Sequence, residues 1–132
     1  MTTRILLDHD IEGYAVFFTA GLQETGWDQY VTIEFLRLRD LGLSDDQNDQ
    51  EIWRRVQSDR LLLITHNRNR EDERSLQATI EKELAADSLP VLTIANVEKL
   101  AQANHRQQVV HKLAEVVLYL ENYLGVGRIY LP

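Results

Sequence analysis

The amino-acid sequence predicts an α/β fold in which three layers, α/β/α, surround a mostly parallel central sheet. Short, largely aliphatic runs at Arg4–Leu7, Leu61–Thr65 and Val91–Ile94 are each followed by polar residues, which is the pattern of strands buried in a parallel sheet. The segments between these runs carry apolar residues at helical spacing, and strands that alternate with helices form βαβ units. The 132 residues are predicted to form one domain that spans 1–132.

The amino-terminal segment predicts a strand, a polar turn and a helix. The strand Arg4–Leu7 ends at Asp8-His9-Asp10. Apolar residues then recur every three or four positions over Ile11–Leu22, which predicts a helix that crosses back over the sheet. Gly21 and Gly26 are expected to mark the end of this helix.

Residues 27–51 are harder to interpret. Val31, Ile33 and Phe35 alternate with polar residues, and this alternation predicts a strand over Tyr30–Leu38. Two overlapping capping boxes follow, and each has the spacing that begins a helix. They pair Ser44 with Gln47 and Asn48 with Glu51, and they predict a helix that ends near Ser58-Asp59.

The second half of the chain is predicted to form the central strand and the remaining strands and helices. Leu61–Thr65 is expected to be the central strand, followed by a helix over Glu71–Ala86 and a strand at Val91–Ile94. Asn96 can cap a helix that begins at Val97 and continues to Leu124. The last five residues are expected to form an edge strand, where a proline is tolerated.

The composition limits the class of protein. The net charge of −7 disfavours nucleic-acid binding through the overall field, so any such binding needs a local basic patch. No apolar run approaches the roughly 20 residues that a membrane helix requires, and no signal peptide is expected. The chain has no cysteine, which excludes thiolate metal sites and fits a cytoplasmic protein.

Polar side chains are expected to gather where the strands of the sheet end. Ligands of open α/β sheets bind beyond the carboxyl ends of the strands, so Asp8, Asp49 and the turn at 65–69 are predicted to converge there. Clustered carboxylates favour Mg or Mn, which can activate water for phosphodiester hydrolysis.

Each of these residues also has a purely structural interpretation. Asp49 can cap a helix, and Asp8 can form a turn. Asp45 and Asp46 are expected to be solvated, and Glu71 and Asp72 to be first-turn helix charges. Hydrogen-bonding roles are favoured over ligation for the two nearby histidines, which are His9 and His66.

Four segments together resemble the PIN-like domains. They are Leu6–Asp10, Gly42-Leu43, Asn48–Ile52 and Leu63–Asn69, and they cover roughly the first 70 residues in order and spacing. The similarity is greatest to a small bacterial group in which a strand ends in a Thr-His-Asp-Arg-Asp-type turn. PIN domains are typically metal-dependent ribonucleases, so the resemblance implies Mg- or Mn-dependent cleavage, with single-stranded RNA as the expected substrate.

The resemblance places Asp8 and Asp49 at the first and second acidic positions of the family. Asn67 and Asn69 lie where the family usually has aspartates. An asparagine oxygen can bind a hard cation but brings no charge, so the predicted metal ligands are two carboxylates and two amides, with Asp8, Asp49 and Asn67 as catalytic residues. The alternative is a catalytically inactive PIN-like module that binds a protein or RNA partner.

Two further predictions concern partners. Arg68 and Arg70 could hold a nucleic-acid backbone, with Arg74, Arg54 and Arg55 nearby, although pairing with the surplus carboxylates is at least as compatible with an acidic chain. The carboxyl-terminal helix has a wide apolar face, which suits core packing and, beyond the area that the sheet covers, a homodimer interface.

Overall fold

A computed structural model of the chain describes residues 1–66 and 70–132, without the side chains of residues 70–73. Five strands form one sheet in the order β2-β1-β3-β4-β5, and every pairing of neighbours is parallel. The strands are β1 Thr2–Leu7, β2 Thr32–Leu36, β3 Leu62–His66, β4 Val91–Ile94 and β5 Arg128–Leu131. The α-helices are α1 Ala15–Thr25, α2 Asp49–Ser58, α3 Arg70–Glu83 and α4 Ala103–Leu118.

Helices cover both faces of this sheet, which confirms the predicted three-layer α/β/α fold. On one face, Phe18 of α1 and Val110 of α4 pack with Ile64 of β3 in one apolar cluster. On the other face, α2 and α3 pack on a second cluster that includes Leu63 of β3. The central strand is therefore buried on both faces, as its unbroken aliphatic run predicts.

The order of the strands creates one position where a crevice opens. β1 lies between β2 and β3. After β1 the chain crosses to β2 on one side of the sheet, whereas after β3 it crosses to β4 on the other side. The helices that follow these two strands, α1 and α3, lie on opposite faces. No single helical layer therefore covers the carboxyl ends of both β1 and β3. In such folds, ligands usually bind at this point, where the strand order reverses.

The structure corrects the predicted bounds of α1. Residues His9–Tyr14 form a 3-10 helix, and the α-helix begins only at Ala15. Gly26 ends α1 in a left-handed conformation, with φ 79°, as expected for a glycine after a helix. Gly21, in contrast, lies buried inside α1, where it faces α4. The absence of a side chain at Gly21 serves helix packing and not helix termination.

The predicted carboxyl-terminal helix is also divided into three parts. Asn96 accepts a hydrogen bond from the Glu98 amide, but it caps a 3-10 helix, Val97–Ala101, and not α4. Gln102 is extended, with φ −89° and ψ 124°, and this breaks the helix before α4 begins. α4 ends at Leu118, and a second 3-10 helix covers Leu120–Tyr123. Because 3-10 and α-helices both place apolar residues three or four positions apart, the sequence pattern alone does not separate them.

Two other predicted boundaries shift for local reasons. The strand predicted over Tyr30–Leu38 is limited to Thr32–Leu36, since Tyr30 ends a 3-10 turn and Leu38 begins another. The Ser44 capping box begins no helix: Gln47 Oε1 accepts a hydrogen bond from the Ser44 amide at 3.4 Å, but the Ser44 hydroxyl donates to the Asp46 carboxylate at 2.6 Å, and the helix begins only at Asp49.

Most apolar side chains of α4 pack in the core of this chain. Val109, Val110, Leu113 and Val116 are fully buried against α1 and the sheet, whereas Leu118 at the end of the helix is exposed. Homodimerisation through this helix stays a prediction. In the part of the chain that the structure describes, no helix has both the length and the apolar character needed to span a membrane.

Candidate metal centre

An acidic cleft opens at the carboxyl edge of the sheet. It lies between the turn that follows β1, the loop before α2, the first turn of α2 and Ser75 of α3, and its volume is about 340 Å³. Five of its described lining residues are aspartates. The lining consists of Asp8, His9, Asp10, Asp45, Asp46, Gln47, Asn48, Asp49, Ile52 and Ser75.

Strand β1 fixes the position of Asp8. The fully buried residues at the end of β1 hold the strand in the centre of the sheet, where Leu7 pairs with Ile64 of β3. The Asp8 amide donates a hydrogen bond to the Ile64 carbonyl at 3.0 Å, which extends this pairing by one residue. The half-buried Asp8 carboxylate accepts a hydrogen bond from the His9 amide at 2.8 Å. Asp8 therefore begins the first 3-10 helix and faces the cleft at the same time.

The start of α2 fixes the position of Asp49. The side-chain oxygen of Asn48 accepts a hydrogen bond from the Glu51 amide at 2.9 Å and caps the helix. Asp49 is the first helical residue and lines the same cleft as Asp8. The structure thus brings together the two carboxylates that the sequence predicts as the principal ligands.

The structure describes β3 up to its last residue, His66, but not the turn that follows it. Asn67, Arg68 and Asn69, which the sequence predicts as site residues, lie outside the described residues, as does the side chain of Arg70. His66, the last residue of β3, is described, and its Nε2 lies 3.4 Å from the Asp10 carboxylate. This contact joins the end of β3 to the turn that follows β1.

A second cluster of possible ligands lies beside the cleft. His9 Nδ1 is 3.2 Å from the Asp45 carboxylate and 3.9 Å from the Glu12 carboxylate. One donor atom from each of these residues lies within 4.8 Å of the others, which is a spacing that can accommodate a metal ion. The sequence interpretation favoured a hydrogen-bonding role for His9 and a solvated role for Asp45. The i,i+3 spacing of His9 and Glu12 is the only sequence signal for this cluster, because the approach of Asp45 depends on the fold of the 37–48 loop.

Asp46 has a different environment from Asp45. The Ser44 hydroxyl donates a hydrogen bond to Asp46 Oδ1, and this bond lowers the pKa of the Asp46 carboxyl. Asp46 is exposed and is held ionised by its own loop. The two adjacent aspartates therefore provide a matched pair for mutation, since both line the cleft but only Asp45 contacts His9.

The arginines of α2 pair with carboxylates. Arg54 Nε lies 2.8 Å from Glu83, and Arg55 Nε lies 2.7 Å from Asp59. The hydrogen bond from Arg54 is the main reason that the pKa of Glu83 is lowered. The salt-bridge interpretation is thus the correct one for these two residues. The described lining of the acidic cleft contains neither lysine nor arginine.

The chemistry of the acidic cleft follows from its charge. Aspartates that share one concave surface repel each other unless protons or a cation intervene. Carboxylate oxygens are the ligands that Mg and Mn prefer, so the donor set fits these ions. Asp8, Asp10 and Asp49 all line the cleft and are its candidate carboxylate ligands.

Comparison with known proteins gives no relative for this chain. No protein-family model matches it, and neither a curated protein nor a solved structure matches it.

Proposed function

We propose that this protein is a PIN-like ribonuclease that requires Mg or Mn and hydrolyses single-stranded RNA. One observation supports the proposal above all others: Asp8 and Asp49, which are distant in sequence, line one acidic cleft at the position where the strand order reverses. The resemblance of the first 70 residues to PIN-like domains supplies the expected reaction.

In this proposal the carboxylates of Asp8 and Asp49 hold the cation, and the amide oxygens of Asn67 and Asn69 add neutral ligands. A bound Mg or Mn supplies Lewis acidity and lowers the pKa of a coordinated water. Arg68 and Arg70 are proposed to position the RNA backbone, because they flank the same turn.

The decisive experiment measures cleavage of a fluorescent single-stranded RNA with Mg or Mn present. Asp8→Asn and Asp49→Asn should each reduce the rate by about 100-fold or more, as loss of a principal ligand or acid–base group does. Asp87→Asn provides the control, since Asp87 is an exposed aspartate in the loop that precedes β4, at the opposite edge of the sheet. Cleavage that persists unchanged in Asp8→Asn would contradict the proposal.

A second candidate function is a catalytically inactive PIN-like module that binds a protein or RNA partner. Two features favour it: the described lining of the cleft has neither lysine nor arginine, and Arg54 and Arg55 are already paired. This candidate predicts no RNA cleavage and weak cation binding in calorimetry. Stoichiometric, tight binding of Mg or Mn at the cleft would count against it.

A further inference from the structure

We propose that His9, Glu12 and Asp45 form a separate cation site that prefers a late transition-metal ion such as Zn²⁺ to Mg²⁺. This site adjoins the acidic cleft but uses different side chains from Asp8 and Asp49. It does not require that the protein cleave RNA.

The distances suit one ion with three protein ligands. Donor atoms bound to a metal at about 2.1 Å are roughly 3.0–3.4 Å apart in octahedral or tetrahedral geometry. The His9–Asp45 distance of 3.2 Å is already in this range, and the His9–Glu12 distance of 3.9 Å needs only a small side-chain movement. The arrangement therefore approaches a three-ligand site without a change in the backbone.

The local structure holds two of the ligands in place. His9 and Glu12 lie three residues apart on one 3-10 helix, where side chains at that spacing lie one above the other. The Glu12 carboxylate also accepts a hydrogen bond from the Leu38 amide at 3.4 Å, which connects this helix to the segment that leads to Asp45. With 21% of its side chain exposed, Glu12 is the least exposed of the three.

There is open space around the three side chains for an ion and its water ligands. His9 and Asp45 line both the acidic cleft and a neighbouring hollow of about 450 Å³. Glu12 and Arg39 also line that hollow. In the described lining of that hollow, the carboxylates of Glu12 and Asp45 outnumber the one guanidinium, that of Arg39.

The imidazole nitrogen determines which ion is preferred. Mg²⁺ selects oxygen ligands and retains its water, whereas imidazole suits Zn²⁺ and other late transition metals. A site with one nitrogen and two carboxylate oxygens should therefore discriminate against Mg²⁺. In this respect it differs from the all-oxygen pair of Asp8 and Asp49.

The test is a titration of the full chain with Zn²⁺, followed through the imidazole ¹⁵N signals. The four histidines of the chain give few signals, so each one can be assigned by mutation. We expect the Nδ1 signal of His9 to shift much more on addition of Zn²⁺ than on addition of Mg²⁺, because Mg²⁺ bound at the neighbouring Asp8 would not coordinate the imidazole. A His9 signal that does not respond to Zn²⁺ would overturn the proposal.

Two adjacent variants separate ligation from a general effect of charge. Asp45→Asn should weaken Zn²⁺ binding by about tenfold or more, whereas Asp46→Asn removes the same charge from the same loop and should have little effect. Equal weakening by both variants would overturn the proposal. Asp49→Asn should leave the His9 response intact while abolishing RNA cleavage, so failure of the proposed function and failure of this site give different results.

Discussion

Gly21 of α1 lies so close to Val110 of α4 that a methyl group on Gly21 would be 2.7 Å from Val110 Cγ1. The same methyl group would be 2.9 Å from Cγ of Arg106. Real side-chain contacts of this kind are longer, so the two helices approach each other only because Gly21 has no side chain. This contact brings α4 against α1 on the face of the sheet that carries the larger apolar cluster.

Gly21→Ala should therefore destabilise the protein, although alanine is the better helix former. The gain in helix propensity is about 1 kcal/mol. Overpacking costs about 1–3 kcal/mol, and the upper part of that range applies because Val110 is fully buried and β-branched. We expect a net loss of about 1–2 kcal/mol in the free energy of unfolding, measured by urea denaturation.

Two further variants control this experiment. Gly13→Ala adds the same methyl group where no atom lies within 4 Å, so its effect should stay within about 0.5 kcal/mol. Combining Gly21→Ala with Val110→Ala removes the overlap, so the double variant should lose less stability than the sum of the single variants. Additive losses would show that the Gly21–Val110 contact is not the cause.

A second prediction concerns the ion pair between α1 and α4. Arg106 donates two hydrogen bonds to the Glu24 carboxylate, at 2.6 and 2.7 Å, and this lowers the pKa of Glu24 from its ordinary value. A carboxyl with a lowered folded-state pKa stabilises the protein above its unfolded pKa, and the contribution is lost as the pH falls through the folded value. Glu24→Gln should thus lower the unfolding midpoint at pH 7.

The pH dependence distinguishes this ion pair from simple packing. Because the wild-type carboxylate becomes protonated in acid, the difference between the wild type and Glu24→Gln should shrink as the pH falls from 7 to about 3. Glu121→Gln, at an exposed position, serves as the control for the same chemical change. A difference that stays constant with pH would mean that the charge of Glu24 contributes nothing.

A third prediction concerns the cap that positions Asp49. Asn48→Ala removes the oxygen that accepts the Glu51 amide, which should cost about 0.5–2 kcal/mol in thermal or urea unfolding. Asn48→Ser keeps an acceptor and should retain most of the stability. Ser44→Ala should cost less than Asn48→Ala, because no helix begins after Ser44. Equal losses at the two positions would contradict the assignment of Asn48 as the cap.

A fourth prediction concerns buried threonines on the sheet. Thr93 and Thr65 are nearly inaccessible, their hydroxyl oxygens are 2.9 Å apart, and Arg128 Nε donates to the Thr93 hydroxyl at 2.8 Å. Thr93→Val removes a partner from both neighbours and should cost about 1–3 kcal/mol. Thr65→Val leaves the bond between Arg128 and Thr93 in place and should cost less. The order of the two losses in urea unfolding is the test.

The fold was predictable because the apolar pattern of each segment agrees with the position of that segment in a parallel sheet covered by helices. Leu61–Thr65 is an unbroken apolar run, and only a strand covered on both faces accommodates it in a chain of this kind. Parallel strands also place their carboxyl ends at one edge, and this is why Asp8 and Asp49 could be expected to line one cleft there.

Features that depend on contacts between distant segments could not be predicted. Asp45 contacts His9 because of the course of the loop before α2, and the sequence has no periodic pattern that predicts this course. Gly21 looks like a helix terminator until the position of α4 is known. The break at Gln102 is likewise a matter of backbone conformation, because the apolar spacing continues across it.

The hydrogen bond from the Asp8 amide to the Ile64 carbonyl also has a kinetic consequence. β1 and β3 can pair only after the long intervening segment, with β2 and α2, has closed into a loop, and that closure costs entropy before contacts compensate for it. We therefore expect the acidic cleft to assemble late in folding. A cation that binds only the closed cleft should slow unfolding and leave the folding rate nearly unchanged, so it would lengthen the lifetime of the native state.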